Sequence, residues 1–381
     1  MEGTMKQAVL MGKGGPWVIR EVPIPKPGPG EILVKMKASS ICNQTDLNTI
    51  KALHPPHDHQ TTLMLPHHFR QWDNRLEGDP LAKYYGKIKY AREPFPTTMG
   101  HEGMGEVVEI GPRSVPEYPV LPGMGADPVF EVGDRVGLGG TIGGLGEYVV
   151  SPARECVKIP DNLTDEEASL TEPCAILWNM CRTVVKHNDV VCILGQGALG
   201  LFATQWSRIF GAKTIITSDP LPMKRELSKK LGADYVIDPT TQNVTEEVEK
   251  ITGGVGCNVV IDCAGVPDTI SNIPYLAAWG ARIGCIGACC VPVLLDWSYI
   301  HFKGMIVYSA QGAMAYNGLG NASNLLSGAM AAMGEEKAKG RLNFQDMITH
   351  RIHLTVEDIN AIFKEIDEKG TVVKSVMLLN Q

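Results

Sequence analysis

The stretch VVCILGQGALGLFA, residues 190–203, constrains this chain more than any other. A run of apolar, β-prone residues ends abruptly in Gly195, Gly197 and Gly200, spaced as G-x-G-x-x-G, and a helical pattern follows. The first glycine makes a tight turn. The second lets the backbone approach a pyrophosphate, and the third lets helix and strand pack closely. The helix N-terminus then faces the phosphate charge. The next apolar run, KTIITSD, closes on Asp219, nineteen residues after Gly200. A carboxylate there accepts from a ribose 2′-hydroxyl and repels a 2′-phosphate. The expectation is a dinucleotide site that takes NAD rather than NADP.

Around this motif, DVVCILG, KTIITSD, ADYVID and CNVVIDCAG alternate with the helical stretches ALGLFATQWSRIFG, MKRELSKKLG and TEEVEKITG. Continuously apolar strands separated by helices point to a doubly wound parallel sheet, continuing through ARIGCIGA and MIVYSA to about residue 309. Residues 1–160 differ: short β-rich runs (KQAVLM, EILVKMKAS, GMGEVVEIG, GDRVGLGG) broken by Gly and Pro imply a mostly β domain. Residues 47–97 interrupt it and carry five of the ten histidines, which reads as a long, partly helical insertion. TDEE at 164–167 is a capping box that should start a helix running on through EASLTEPCAILWNMCRTVV. The chain is therefore expected to be α/β, divided into a β-rich domain over 1–168, a nucleotide-binding domain over 169–309, and a segment 310–381 that returns to the first.

Net charge is −7 and no Lys/Arg-rich run occurs, so a nucleic-acid or anionic-membrane partner is not expected. No apolar run approaches the ~18 residues of a membrane span, and the N-terminus shows no export signal. The ten cysteines are scattered, form no C-x-x-C pair and mostly lie in apolar strands. Reduced thiols in a cytoplasmic protein fit that pattern.

GHEGMGEVVEIG (100–111), followed by VGDRVGL and GEYVVSPARECVKIPDNL, resembles the medium-chain dehydrogenase/reductase superfamily, and more narrowly its zinc-dependent alcohol and polyol dehydrogenases, including sorbitol- and threonine-dehydrogenase-like members. The resemblance spans nearly the whole chain except about 47–97 and 113–128. It implies a GroES-like catalytic domain joined to a Rossmann domain. By position, His101 resembles the family's metal-binding histidine, and Glu102 its mobile carboxylate. LTEPCAIL resembles the Glu-Pro form of the third ligand, making Glu172 the candidate, with Cys174 a shifted alternative. ASSICNQTDL resembles A-x-G-I-C-x-T-D-L with one residue too many. Aligned from the left, Cys42 falls on the ligand position; aligned from the right, Asn43 does. A thiolate suits a borderline-soft ion and a neutral amide does not, which favours Cys42 over Asn43 as the ligand; the alternative reading of Cys42 is an inert buried thiol.

Cys, His and Glu with one open position make a catalytic rather than a structural zinc site. Residues 112–130 lack the four cysteines of the family's structural-zinc lobe, so one zinc per subunit is expected. The resemblance further implies Thr45 as a hydroxyl relay, Asp46 as a residue orienting the metal's ligands, and Lys224 and Lys374 near the ribose and pyrophosphate of NAD. Asn48 stands where the family has a histidine. The expected reaction moves hydride between a secondary alcohol, polyol or sugar alcohol and NAD, in a homodimer or homotetramer. The inserted segment is expected beside the substrate cleft, with a second metal site among its histidines conceivable. The competing readings are a zinc-free enone or quinone reductase on the same fold and a non-catalytic NAD-binding protein.

Overall fold

A computed structural model of the chain describes residues 2–51, 95–112, 129–141, 143–289, 293–309 and 322–379. The inserted histidines and most of 112–130 lie outside the described residues. The chain forms two compact units. The first comprises Met1–Glu172, Ala315–Ala331 and Ile348–Gln381; the second comprises Pro173–Met314 and Ala332–Met347.

In chain order the strands are β1 Thr4–Leu10, β2 Trp17–Pro23, β3 Glu31–Ser40, β4 Glu102–Ile110, β5 Arg135–Gly139, β6 Tyr148–Pro152 and β7 Cys156–Lys158. They continue with β8 Val190–Leu194, β9 Thr214–Ser218, β10 Tyr235–Ile237, β11 Cys257–Asp262, β12 Ala277–Cys285, β13 Ile306–Ser309, β14 Ile348–His353 and β15 Lys374–Leu378.

The first unit is mostly β. β1 and β2 form an antiparallel hairpin, and a second sheet runs β14-β15-β3-β4-β5-β7, with β6 paired to β3. β3 lies at its centre because alternate residues Ile32, Val34 and Met36 bury into one apolar cluster with Val107, Val136, Leu138 and Met377. β15 pairs antiparallel with β3, placing Val376 opposite Ser40, while Ser40 also stands opposite Glu102 of β4. Residues from three distant stretches thus meet at one end of the sheet.

The second unit is a six-stranded, wholly parallel sheet in the order β10-β9-β8-β11-β12-β13. Its central strands β8, β9 and β11 are buried on both faces, as their continuous apolar runs require, while β13 at the edge is largely exposed. Strand order reverses at β8, between β9 and β11, which is where such folds bind a dinucleotide at the strands' carboxyl ends.

The expected helix after residue 164 is two helices. Thr164 and Glu167 form the capping box, but that helix covers only Asp165–Ala168, and a second runs Thr171–Val184. Pro173 explains the break: inside a continuous helix its ring would collide with the Ser169 carbonyl, whereas in a restarted helix it occupies the first turn. The hydroxyls of Ser169 and Thr171 donate to the carbonyls of Glu166 and Ala168 across the junction. No helix among the described residues is long and apolar enough to cross a membrane.

Candidate metal centre and nucleotide loop

Three side chains from two strand ends converge in the first unit. Cys42 lies just beyond β3, His101 just before β4, and Glu102 is the first residue of β4. The Cys42 sulfur, a His101 ring nitrogen and a Glu102 oxygen all lie within 4.8 Å of one another, a group able to hold a metal ion. Gly100, at φ +88°, makes the turn into His101, and a Cβ there would come within 2.8 Å of Leu145. The backbone before the histidine therefore has room for no other residue.

Asp46, in the first turn of the helix Thr45–Ile50, ties this group together. One carboxylate oxygen accepts the Cys42 amide at 3.0 Å, and the other lies 3.5 Å from His101 Nδ1. With Nδ1 turned to Asp46, Nε2 is the nitrogen left for a cation, the usual arrangement of a metal-binding histidine and its carboxylate partner. Burial works against a charged His101, yet the hydrogen bonds and charges of Asp46 and Cys42 outweigh it and lift its pKa well above the ordinary value. The surroundings demand positive charge at this place, a demand that a divalent cation would meet.

Glu172, on the helix Thr171–Val184, stands outside the tight group but shares its field. Burial pushes its carboxyl up to about 7; His101 and Lys374 pull it down, while Glu102 and Asp46 push it up. The donor set of thiol, imidazole and carboxyl fits zinc, and nothing in its chemistry argues against it. Cys174, the alternative to Glu172, is assigned to the second unit and is fully buried, its thiol raised by desolvation.

The one-residue surplus after Ile41 now has a geometry. Asn43 donates its amide to the carbonyls of Val372 (2.7 Å) and Val373 (3.3 Å). Its NH₂ is committed to those carbonyls and its Oδ1 is buried without a hydrogen-bond partner among the described residues, while the Cys42 sulfur lies in the cluster with His101 and Glu102.

Glu102 is buried and paired. Lys374 Nζ donates to both its oxygens, 2.7 Å to Oε1, and to the Ile41 carbonyl at 3.1 Å; Ser40 Oγ also donates to Oε2. Desolvation would raise the Glu102 pKa, but Lys374, His101 and Ser40 hold it below the usual range. Lys374, expected beside the ribose and pyrophosphate of NAD, is here committed to Glu102 and Ile41. An ammonium has three N–H bonds, and all three are given to Glu102 and Ile41. Ser40 was not singled out from the sequence, where a serine in a strand carries no signal. Lys374 within VVKSVMLL did carry one, since a lysine in an apolar strand needs a buried partner.

In the second unit the glycine loop has the shape its spacing requires. Gly195 has φ +84°, and a Cβ on Gly200 would lie 1.8 Å from the Gly195 carbonyl oxygen. At Gly197 a Cβ would meet nothing within 4 Å, which is the open space a pyrophosphate needs. Gln196 braces the loop, accepting from Thr204 Oγ1 at 3.0 Å. Asp219 is 5% exposed; its Oδ2 accepts the Gln196 amide at 2.7 Å and its Oδ1 the Leu221 amide at 2.9 Å. The Lys224 ammonium has no hydrogen-bond partner among the described residues; burial lowers its pKa, against the opposing charge of Asp219.

Comparison with known proteins agrees with both halves. Residues 76–161 match the alcohol dehydrogenase GroES-like domain, and residues 198–328 match the zinc-binding dehydrogenase domain. The chain is 31% identical to L-threonine 3-dehydrogenase of Pyrococcus horikoshii over 362 residues, covering 87% of this chain and 86% of that protein. It is 25% identical to the Francisella philomiragia enzyme of the same name, over 91% and 92% of the two chains. Among solved structures, 2R,3R-butanediol dehydrogenase from Bacillus subtilis shares the fold with a TM-score of 0.73 at 23% identity, over 99% of this chain and 100% of that one. Benzyl alcohol dehydrogenase from Acinetobacter calcoaceticus does so with a TM-score of 0.76 at 19% identity, over 99% and 100%. The chain belongs to the zinc-binding, NAD-linked alcohol dehydrogenases of the medium-chain dehydrogenase/reductase superfamily, built from a GroES-like and a Rossmann domain.

Proposed function

We propose that this enzyme oxidises a small secondary alcohol carrying a second polar group beside the reacting carbon, such as a 3-hydroxy amino acid or a vicinal diol, to the ketone with NAD. The convergence of Cys42, His101 and Glu102 around the Asp46 carboxylate carries this reading. The relatives that act on L-threonine and on 2,3-butanediol supply the substrate class. The first unit, Met1–Glu172 with Ala315–Ala331 and Ile348–Gln381, serves as the catalytic domain, and the second, Pro173–Met314 with Ala332–Met347, as the NAD domain.

Cys42, His101 and Glu172 hold one zinc, with Glu102 close by. Zinc bound there supplies Lewis acidity of the kind that lowers the pKa of bound water from 15.7 to about 7. Asp46 fixes the ring of His101. Thr45, first residue of its helix, relays the proton that leaves the substrate hydroxyl, accepting it while passing its own on toward solvent. The Gly195–Gly200 loop carries the pyrophosphate, and Asp219 and Lys224 take the adenosine ribose hydroxyls. The test is zinc stoichiometry together with NAD reduction across L-threonine, 2,3-butanediol, sorbitol and benzyl alcohol. A fully active preparation without transition metal, or activity confined to primary alcohols, would refute it.

The working assembly is a homodimer joined through the second unit. Among the described residues β13 pairs only with β12, and no described strand lies along its other edge. Ile306 and Val307 on it are 51% and 53% exposed. Trp279 (76%), Leu294 (86%), Trp297 and Phe302 (each 70%) are exposed in the preceding segments of the same unit. An open strand edge is a template for pairing, and a two-fold axis lets the same edge meet itself. These six side chains offer on the order of 800 Å² per subunit, the size of a standard interface. Sedimentation of the purified protein should give twice the chain mass; a monomer would refute it.

A further inference from the structure

Ser40 ends β3, directly opposite Glu102 in the β3–β4 register, and its side chain is wholly buried. In the sheet, β3 lies between β15 and β4, and the Lys374 side chain passes the end of β3, beside the Ile41 carbonyl, to reach Glu102. Three adjacent strands thus contribute one member each: an ammonium, a hydroxyl and a carboxylate. A carboxylate has about four acceptor positions. Lys374 takes one on each oxygen and Ser40 takes a second on Oε2, leaving one position on Oε1. The Ser169 carbonyl, 3.3 Å from Ser40 Oγ, is the only other acceptor within the hydroxyl's reach among the described residues.

We propose that Ser40 is a positioning residue whose hydroxyl latches the Glu102 carboxylate onto Lys374 and keeps it from binding the cation held by Cys42, His101 and Glu172. The inference rests on the metal reading above and goes beyond it. An ion pair with Lys374 alone leaves the carboxylate free to pivot about the ammonium. A second donor, fixed on the neighbouring strand, sets its plane. The latch also divides the charge. Lys374 compensates Glu102, so the two anionic donors Cys42 and Glu172 are left to offset a divalent ion. A third anionic donor on the same ion would over-compensate it.

The test uses the full-length protein, zinc-loaded and cobalt(II)-substituted, with the variants Ser40→Ala and Ser40→Gly. Losing one charge-assisted hydrogen bond shifts the latch toward its open form on the order of tenfold. The visible cobalt absorption of either variant should weaken and shift as an added carboxylate raises the coordination number. Zinc release to excess dipicolinate should change on the order of tenfold. In a Glu102→Gln background, Ser40→Ala should alter neither readout, because no carboxylate remains to be held. An unchanged cobalt spectrum in a folded variant overturns the latch, as does an equal effect of Ser40→Ala with and without Glu102. Wild-type protein that never holds zinc would sink the metal reading instead, so the two failures are told apart.

Discussion

Asp219→Asn is the sharpest single probe of the nucleotide site, because the structure fixes what each carboxylate oxygen already does. Oδ2 accepts from Gln196 N–H and Oδ1 from Leu221 N–H. Each oxygen retains one free acceptor position, enough for the two ribose hydroxyls. An amide in its place has one acceptor oxygen, and its NH₂ must face one of the two backbone amides. That leaves a buried donor unpaired, at a cost of about 1–3 kcal/mol. For a unit of this size each kcal/mol lowers the melting temperature by roughly 2–4 °C. Ribose recognition loses at least one hydrogen bond to a charged group, about 1.5–3 kcal/mol, which is a rise in KM for NAD of roughly 10- to 100-fold. At the same time the repulsion of a 2′-phosphate disappears; one unit charge at about 4 Å in surroundings of effective dielectric 20 is worth about 4 kcal/mol. NADP should therefore gain while NAD loses, with kcat for NAD little changed. Initial rates with both cofactors, together with a thermal melt, measure all three effects. An unchanged KM for NAD, or a loss of NADP turnover in step with NAD, would refute the assignment of Asp219 to the ribose.

Cys42→Ser should abolish stoichiometric zinc, while Asn43→Ala should keep it but hold it less tightly, because the loop loses its anchor to Val372 and Val373, as read by metal analysis and chelator competition on the purified variants; the reverse result would move the ligand to Asn43. Asp46→Asn should weaken zinc binding by roughly 10- to 100-fold, since the His101 ring loses its carboxylate partner, and competition with a chelator of known affinity gives the number. Gly200→Ala should eliminate NAD binding measured by calorimetry without emptying the metal site, because the added methyl would overlap the Gly195 carbonyl. Ile306→Lys should convert the proposed dimer to a monomer in sedimentation, with unfolding still cooperative.

Sequence reading went furthest where spacing alone dictates geometry. The glycine loop, its strand and helix, and Asp219 at the next strand end are all local, and the six parallel strands follow from uninterrupted apolar runs. It fell short wherever a capping signal had to predict length: Thr164 and Glu167 announce a helix start, but Pro173 nine residues on decides that the helix must begin again. Long-range pairing was the larger obstacle. Lys374 and Glu102 are 272 positions apart, and nothing in either neighbourhood names the other. Only the pairing of β15 with β3 and of β3 with β4 brings them together. The rivalry between Cys42 and Asn43 was a tie of alignment, and it is the carbonyls of Val372 and Val373, more than 300 residues away, that occupy the amide.

That amide has a wider meaning. What looks in one dimension like a surplus letter is in three dimensions a rivet. It fastens the loop presenting the sulfur to the very peptides that lead into the strand bearing the buried ammonium. Chemistry at the front of the chain is thereby made hostage to its last dozen residues. A nick or slip near the C-terminal end would disarm the reaction centre while the cofactor's own cradle, built from the middle of the chain, stays whole.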